Sequence, residues 1–351
     1  MTKITTDIAI IGAGLSGLAL ARQLQAAGAD YHLFDARART GGRILSPALT
    51  TGGSIDQGPA WIWPHNHRIL KLLKSLNIPT HGQFARGNLV LEDQNGTLRR
   101  DLEFATMGDA LRVAGGTGRL TDALADDLPR DRVHLNHQIT AIDRTHDGAA
   151  ITGTSPVQAA RVVLALPPRL AAQTITFTPT PPPDVLAQMT EIPTWMAGHA
   201  KFIAVYDTMH WRDIGLSGDA ISHIGPLVEV HDASDEITHA AALFGFVAPS
   251  TDLSDIESFT TRAIAQLGRL YGPWAAQPTE TILKNWAHDP FTATSHDAIP
   301  PRAHPAYGLP RAVQSWAGER ILFAGTEAAH ADGGFLEGAL EAAETVFAAL
   351  K

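Results

Sequence analysis

Apolar and polar positions alternate along the chain in runs that predict short strands and amphipathic helices in turn. The first signal is Ile8-Ala9-Ile10-Ile11, an apolar run of the length expected for a buried parallel strand. Leu18 to Ala27 follows with helical spacing, and Gly28 stands where a helix stops. Tyr31 to Phe34 is a second apolar run. Ile69, Leu70, Leu72, Leu73 and Leu76 predict a helix over 66–76, and 84–104 alternates like paired strands around Asn95-Gly96, a hairpin signal. A short helix is expected over 119–128, an alternating strand over 133–143, and a buried strand over 161–167 that Pro167 and Pro168 halt. Residues 178–183 are rich in proline and read as a boundary. Beyond them, 199–206 alternates as a strand and 215–250 reads as further sheet. Ile256, Phe259, Ala263, Ile264, Leu267 and Leu270 predict a helix over 254–271 with Ser254 as N-cap. A strand at 320–327 and a helix to the end close the chain.

The first strand, helix and second strand enclose Gly12-Ala13-Gly14-Leu15-Ser16-Gly17, a G-x-G-x-x-G turn, and the second strand ends on Asp35, 18 residues after Gly17. Such glycines let the backbone turn sharply and approach a pyrophosphate, while the helix N-terminus offers N–H groups and a positive dipole end. Asp35 can accept hydrogen bonds from ribose hydroxyls. A glycine-rich turn with no nucleotide is the competing reading, and the strand before and helix after argue against it. Arg37-Ala38-Arg39-Thr40-Gly41-Gly42-Arg43 comes next and adds fixed positive charge and two more close-approach glycines.

With that R-x-G-G-R run the chain resembles the flavin-containing amine oxidases, the monoamine oxidase-like family. The resemblance implies an α/β architecture: a Rossmann-like FAD-binding domain of the glutathione-reductase type, intertwined with an α+β substrate domain of mixed sheet plus helices. The expected division is 1–80, 113–170 and 285–351 for FAD, with 81–112 and 171–284 for substrate. Gly12, Gly14, Ser16, Gly17, Asp35, Arg37, Gly42 and Arg43 would hold the nucleotide. Gly58, Pro59 and Ala60 match the family segment that passes beneath the flavin ring, and Ile139 matches a position that meets adenine through its backbone. Trp286 matches a tryptophan lying along the flavin. Trp61 and Trp63 are either ordinary packing or walls of the substrate cavity.

The segment Arg320 to Glu327 ends in A-G-T-E and leads to Gly333-Gly334-Phe335-Leu336 at the start of the last helix. In the resemblance, Glu327 contacts ribityl or pyrophosphate. Gly334, Phe335 and Leu336 bring the positive helix end against the ring, where it favours negative charge in the reduced state. Phe335 would replace one tyrosine of the monoamine oxidase aromatic cage and His296, in Ser295-His296, the other. Lys201 shares a predicted strand face with Ile203 and Val205, where an ammonium is costly without partners. Taken alone it reads as an edge-strand lysine reaching solvent. The resemblance instead makes it the lysine that holds a water against the flavin's reactive nitrogen.

Composition narrows the chemistry. The 351 residues carry net charge −9 with no long basic run, which argues against nucleic acid or an anionic membrane as partner. There is no cysteine, so a cysteinyl–flavin bond, a disulfide and a thiol nucleophile are all excluded and FAD is expected to be non-covalent. No metal site is expected, since no acid or histidine set has ligand spacing. The first strand begins too early to leave room for a signal peptide, and no apolar run is long enough to span a membrane, so a cytoplasmic protein is expected. Only about ten residues, 105–114, separate the predicted strands from Gly115-Gly116-Thr117-Gly118, where the family carries a long helical lobe. A shallower cavity, or one completed by a partner subunit in an oligomer, is the expectation.

With one dinucleotide fingerprint and no second, the substrate itself must reduce the flavin. The expected reaction is hydride transfer from a neutral amine to FAD, with O₂ as acceptor. A renalase-like or desaturase-like oxidoreductase acting on a non-amine, or a non-catalytic flavoprotein, stands as the alternative. A clamp on a substrate carboxylate could come from Arg86, Arg99, Arg100, Arg112 or Arg212.

Overall fold

The computed structural model describes residues 3–235 and 237–351. Two large sheets take up most of the described strands, beside a two-stranded pair of Thr80–Gly82 with Leu111–Val113. In the first, five parallel strands lie in the order Val133–His134, Tyr31–Phe34, Ile4–Ile11, Val157–Leu164 and Ile321–Phe323. The helices Leu15–Ala26 and Leu336–Leu350 cover one face, and their Leu18, Leu20, Leu340 and Ala343 share a core with Ile8, Ile10 and Val163. The opposite face buries Ala9, Ile11, Val162 and Leu164. Both faces are covered, which is why Ile8–Ile11 and Val162–Leu164 are continuously apolar rather than alternating.

The second sheet has seven strands in the order Glu280–Asn285, Ala200–Tyr206, Ala241–Val247, Leu227–Asp232, Leu216–Ser222, Asn88–Glu92 and Leu98–Leu102. On one face Phe202, Ala204 and Tyr206 pack against Phe259, Ala263 and Leu267 of the helix Ile256–Tyr271. On the other, Ile203, Val205 and Phe244 pack with Leu49 and Ile55 of the N-terminal segment. The period of two along Ala200–Tyr206 therefore decides which side chains look toward the first sheet.

Three expectations need correction. The boundary at 171 is too early. The strand Thr176–Thr178 pairs in parallel with Ile139–Thr145, and the helix Pro183–Glu191 buries Val185 and Met189 in the same core as Ile142 and Phe177. The prolines open that helix, with one in its first turn where a missing N–H costs nothing, rather than parting two domains. The strand foreseen over 133–143 is two strands, Val133–His134 and Ile139–Thr145, broken where Asn136 takes φ of 53°. The N-cap of the long helix is Asp255, not Ser254: its carboxylate accepts the Ser258 N–H at 2.9 Å.

The connection from Leu98–Leu102 to the strand Leu111–Val113 is an eight-residue crossing with no helix in it. Among the described residues no helix is long and apolar enough to cross a membrane.

Candidate active site

A cavity of about 590 Å³ runs between the two sheets. At one end it meets the glycine turn, Asp35, Arg37 and Arg43, at the other Lys201, Phe246 and Glu229.

The glycines of the first turn divide into two kinds. Gly12 has φ of 111°, and a Cβ there would sit 2.5 Å from the Ala165 carbonyl oxygen. A Cβ on Gly17 would stand 1.9 Å from the Gly12 carbonyl oxygen. Both are demanded by the protein's own packing. Gly14 is different. Its φ of −75° suits any residue, and a Cβ would meet no protein atom nearer than 3.8 Å. Nothing in the fold requires glycine there, yet Gly14 lines the cavity, so the space is kept for a ligand. The helix Leu15–Ala26 begins at this point with no side-chain cap, leaving its first N–H groups without the usual side-chain acceptor. Ser16 also lines the cavity, and its hydroxyl donates to the Ala324 carbonyl.

Asp35 is buried, and its carboxylate accepts the Ala13 N–H at 2.7 Å and the Arg37 N–H at 2.8 Å. Arg37 is fixed by Asp289 at 2.5 Å and Thr292 at 2.9 Å. Arg43 is fixed by two contacts to Glu327, at 2.7 and 3.2 Å. Glu327 is fully buried beneath that guanidinium and outside the cavity lining, so it acts through Arg43 rather than at the surface of the site. Gly42, Gly58, Pro59 and Ala60 line the cavity; a Cβ on Gly58 would strike the Arg43 carbonyl oxygen at 2.0 Å. Trp286 lines it too, pinned by its indole N–H to the Gln57 carbonyl at 2.9 Å. The last helix starts at the same cavity with Gly334 at φ 83°, then Phe335 as an N-cap without a side-chain bond, then Leu336. Two uncapped helix N-termini thus open on one space, a setting for groups that carry or gain negative charge.

Lys201 sits on an interior strand, between Glu280–Asn285 and Ala241–Val247, so the edge-strand reading is excluded. It is 5% exposed, and Nζ donates to the carbonyls of Gly58 at 2.7 Å and Asp56 at 3.2 Å. The rings of Phe244 and Phe246 lie 4.2 and 5.7 Å from it. Burial pushes the ammonium down to about 7; the nearby Asp56 charge opposes that shift and Arg112 adds to it. Trp61 packs on Phe244 and Phe246 at 5.4 and 6.3 Å and donates to Gln83 at 2.9 Å, so it lines the cavity as a fixed wall.

Besides Glu327, three expected residues lie off the cavity lining. His296 is exposed and outside the cavity. Thr294 and Asp297 form a reciprocal capping box around the short turn Ser295–Asp297, and Arg169 holds Asp297 inward at 2.5 Å, which turns His296 to the surface. Ile139 is buried in the core of the first sheet and does not line the cavity. Gly17 lies behind the turn rather than on its open side. Trp63, read from the sequence as either packing or a cavity wall, lines the cavity, and so does Trp195, which the sequence reading does not single out; both meet Phe335 edge-on, at 6.1 and 6.4 Å. Trp195 carries no local sequence signal; only the approach of its loop to the last helix reveals it. Of the candidate clamp arginines, none lines the cavity: Arg112 lies 3.8 Å from Asp56, Arg212 is bound by Asp232, Arg100 by two carbonyls, and Arg99 by Asp101. Among the described residues no cluster of three or more side chains could hold a metal ion.

The family model for flavin containing amine oxidoreductase matches residues 15–103 and 84–349. The chain belongs to that family. It is 27% identical to the putative flavin-containing monoamine oxidase AofH of Mycobacterium tuberculosis, over 97% of this chain and 95% of that protein. It is 22% identical to human amine oxidase [flavin-containing] B, over 96% of this chain and 84% of that one. Solved structures share the fold. Putrescine oxidase bound to putrescine superposes with a TM-score of 0.81 at 20% identity, covering 99% of both chains, and cyclohexylamine oxidase from Brevibacterium oxydans with 0.79 at 19%, covering 98% of both. The alignment with AofH runs over 447 positions although this chain has 351 residues, so the flavin amine oxidase described here is a short one.

Membership makes the protein a flavin-dependent oxidoreductase with FAD as cofactor, and the residues fit that group. Gly14 leaves room at the first helix N-terminus, Asp35 presents a carboxylate at the end of the second strand, and the uncapped last helix faces the opposite side of the same cavity. With no cysteine in the chain, no thioether to the flavin can form.

Proposed function

We propose that this amine oxidase converts a small amine to a carbonyl compound by hydride transfer from the amine-bearing carbon, with O₂ as final acceptor: R–CH₂–NH₂ + O₂ + H₂O gives R–CHO + NH₃ + H₂O₂. FAD, when bound, supplies the hydride-accepting ring. The chain's own residues supply the rest.

The observation that carries the reading is Lys201, a buried amine of lowered pKa in a wall of aromatic rings. An ammonium has three N–H donors, and two are used on Gly58 and Asp56. The third, or the lone pair once Lys201 is neutral, is left for a water or the substrate nitrogen. A substrate amine gives up hydride only as the free base, because its lone pair must stabilise the cation left behind. A group titrating near 7 can take the excess proton at that point. Trp61, Phe246 and Phe335 offer flat apolar faces that exclude water and orient an alkyl or aryl group. The absence of a lining arginine free of a carboxylate partner, among the described residues, favours a simple amine over an amino acid.

Mixing the yellow protein anaerobically with a panel of amines tests this. Bleaching of the flavin by at least one amine, followed by peroxide on admitting air, is expected. If every amine leaves the colour unchanged, the reading is wrong.

A further inference from the structure

Behind Lys201, off the cavity lining, charged side chains form a file that reaches the surface. The lysine's Nζ rests on the Asp56 carbonyl at 3.2 Å, and the Asp56 charge acts on the ammonium. Asp56 is buried. Its Oδ1 accepts the Thr117 N–H at 2.8 Å and the hydroxyls of Ser46 and Thr117 at 2.6 and 2.7 Å. Among the described residues no donor reaches its Oδ2, and Arg112, also buried, stands 3.8 Å from it. That gap is too long for a hydrogen bond and suits one bridging water. Arg112 is paired directly with His81 across the strands Leu111–Val113 and Thr80–Gly82, so the two side chains share a face. His81 Nε2 in turn lies 3.8 Å from Asp235 Oδ1, a second gap of the same kind.

Four buried polar atoms in this region have no hydrogen-bond partner among the described residues: Asp56 Oδ2, Arg112 Nε, His81 Nε2 and Thr238 Oγ1. The Thr238 N–H bonds Asp235 Oδ1 at 3.2 Å, which puts that hydroxyl beside the end of the file. A buried polar atom costs free energy unless something meets it, and water is the usual answer. Strung along one file, these four call for a run of internal water rather than four separate repairs. His81 closes the file. Its side chain is 21% exposed, and its two nitrogens face opposite ways. Nδ1 lies 3.1 Å from the Gly82 carbonyl, which only accepts, so the neutral ring carries its proton on Nδ1 and turns a bare Nε2 inward. Such a ring takes a proton on the inner nitrogen and gives one up from the outer. Burial would raise the Asp235 carboxyl's pKa, but N–H bonds from Gly115, Ile237 and Thr238 lower it, so an anion stands beside the imidazole.

We propose that Asp56 and His81, joined by internal water past Arg112, carry the proton of amine oxidation from Lys201 to solvent. This rests on the amine-oxidising reading above and adds where its proton goes. The balance requires an exit: R–CH₂–NH₃⁺ gives R–CH=NH₂⁺, a hydride for the flavin and one H⁺. Lys201 takes up that proton on the cavity side, where substrate and aromatic walls keep out bulk water. Arg112 is no carrier, because a guanidinium keeps its proton; its fixed charge balances the Asp56 carboxylate.

The test mixes the FAD-loaded protein anaerobically with an oxidisable amine, in weak buffer with a pH indicator, on the alkaline side of the Lys201 pKa. In the wild type the proton should appear in solvent in step with flavin bleaching. In His81→Ala the first bleaching should keep its rate while the proton appears about tenfold or more slowly, and added imidazole should close the gap. His81→Gln keeps a donor toward Gly82 but cannot pass a proton on, and should lag like His81→Ala. The ring is partly exposed, so neither change threatens the fold. Protons released in step with bleaching in both variants overturn the proposal. So does a lag that imidazole leaves unchanged, the mark of a merely structural role. If no amine bleaches the flavin, the amine reading fails, and the file is decided without turnover. A high-resolution crystal structure should show ordered water between Asp56 Oδ2 and Arg112 and at His81 Nε2; a dry file overturns the proposal.

Discussion

The two ends of the cavity are built on opposite principles. Toward the glycine turn the protein works by leaving things out. Gly14 lacks a side chain that the fold could accommodate, and two helices begin without side-chain caps. The recognition groups there are backbone N–H groups, pre-aligned by secondary structure and costing little to hold in place. Toward the second sheet the protein works by putting costly things in. Lys201, Asp219 and His231 are buried ions or potential ions, each kept by specific partners. A cofactor that is the same molecule in every turnover suits the first strategy. Chemistry that moves a proton needs the second.

The sharpest way to break this contrast is to fill the space at Gly14. Gly14→Val has an ordinary backbone conformation available and a Cβ no nearer than 3.8 Å to any protein atom, so the chain should fold with an unchanged circular dichroism spectrum. Its flavin content should drop at least about tenfold, because a branched side chain blocks the approach to the helix N-terminus. Gly17→Ala is the control with the opposite signature. Its Cβ would sit 1.9 Å from the Gly12 carbonyl oxygen, so solubility should fail rather than colour. A Gly14→Val protein that keeps its flavin would show that the empty space has no ligand to serve.

At the other end, Lys201→Met should retain FAD and lose about 10²- to 10³-fold in kcat/KM, the usual worth of a placed proton-transfer group. The pH dependence has a definite sign. For the wild type, kcat/KM should rise through about pH 7 as the buried ammonium loses its proton, and the variant should lack that inflection. Stability gives an independent check. The folded pKa lies below the unfolded value of about 10.5, so the unfolded chain binds more protons between the two. The penalty of the buried ammonium is fully present below about pH 7 and fades as pH rises toward 10.5. Lys201→Met should therefore flatten the rise in denaturation midpoint over that range; an unchanged slope would mean that the lysine ionises freely.

The contrast also explains what could be read from the residues alone. The strand-turn-helix of the cofactor half is local: strand, glycines, helix and acid all fall within 8–35, and each has a mechanical reason visible in its own residue type. The stretch 171–191 is harder to read, because prolines that open a helix look the same as prolines that part domains. The substrate half is non-local. Asp219, Glu229 and His231 sit in alternating stretches that could belong to any solvated strand, and only the antiparallel pairing brings them into line with one another. The lysine's burial was equally hidden: whether a strand is interior or edge depends on partners about 40 and 80 residues away.

His296 supplies the smallest expected effect. Its place ten residues after Trp286 makes it look like a cage wall, but spacing in sequence says nothing about which way a turn faces. Thr294 accepts the His296 N–H at 3.3 Å, Asp297 accepts the Thr294 N–H at 2.8 Å, and Arg169 draws Asp297 into the protein. With Asp297 pulled inward, the neighbouring imidazole has only solvent to face. His296→Ala should therefore change kcat/KM by less than about twofold for any amine, and surface substitutions of this kind shift stability by no more than about 0.5 kcal/mol. Phe335→Ala in parallel removes a ring that does line the cavity and should raise KM for apolar amines several-fold. A large loss of activity in His296→Ala alone would mean that the turn refolds toward the cavity when substrate binds, and that the aromatic wall drawn here from Trp61, Trp195 and Phe335 is incomplete.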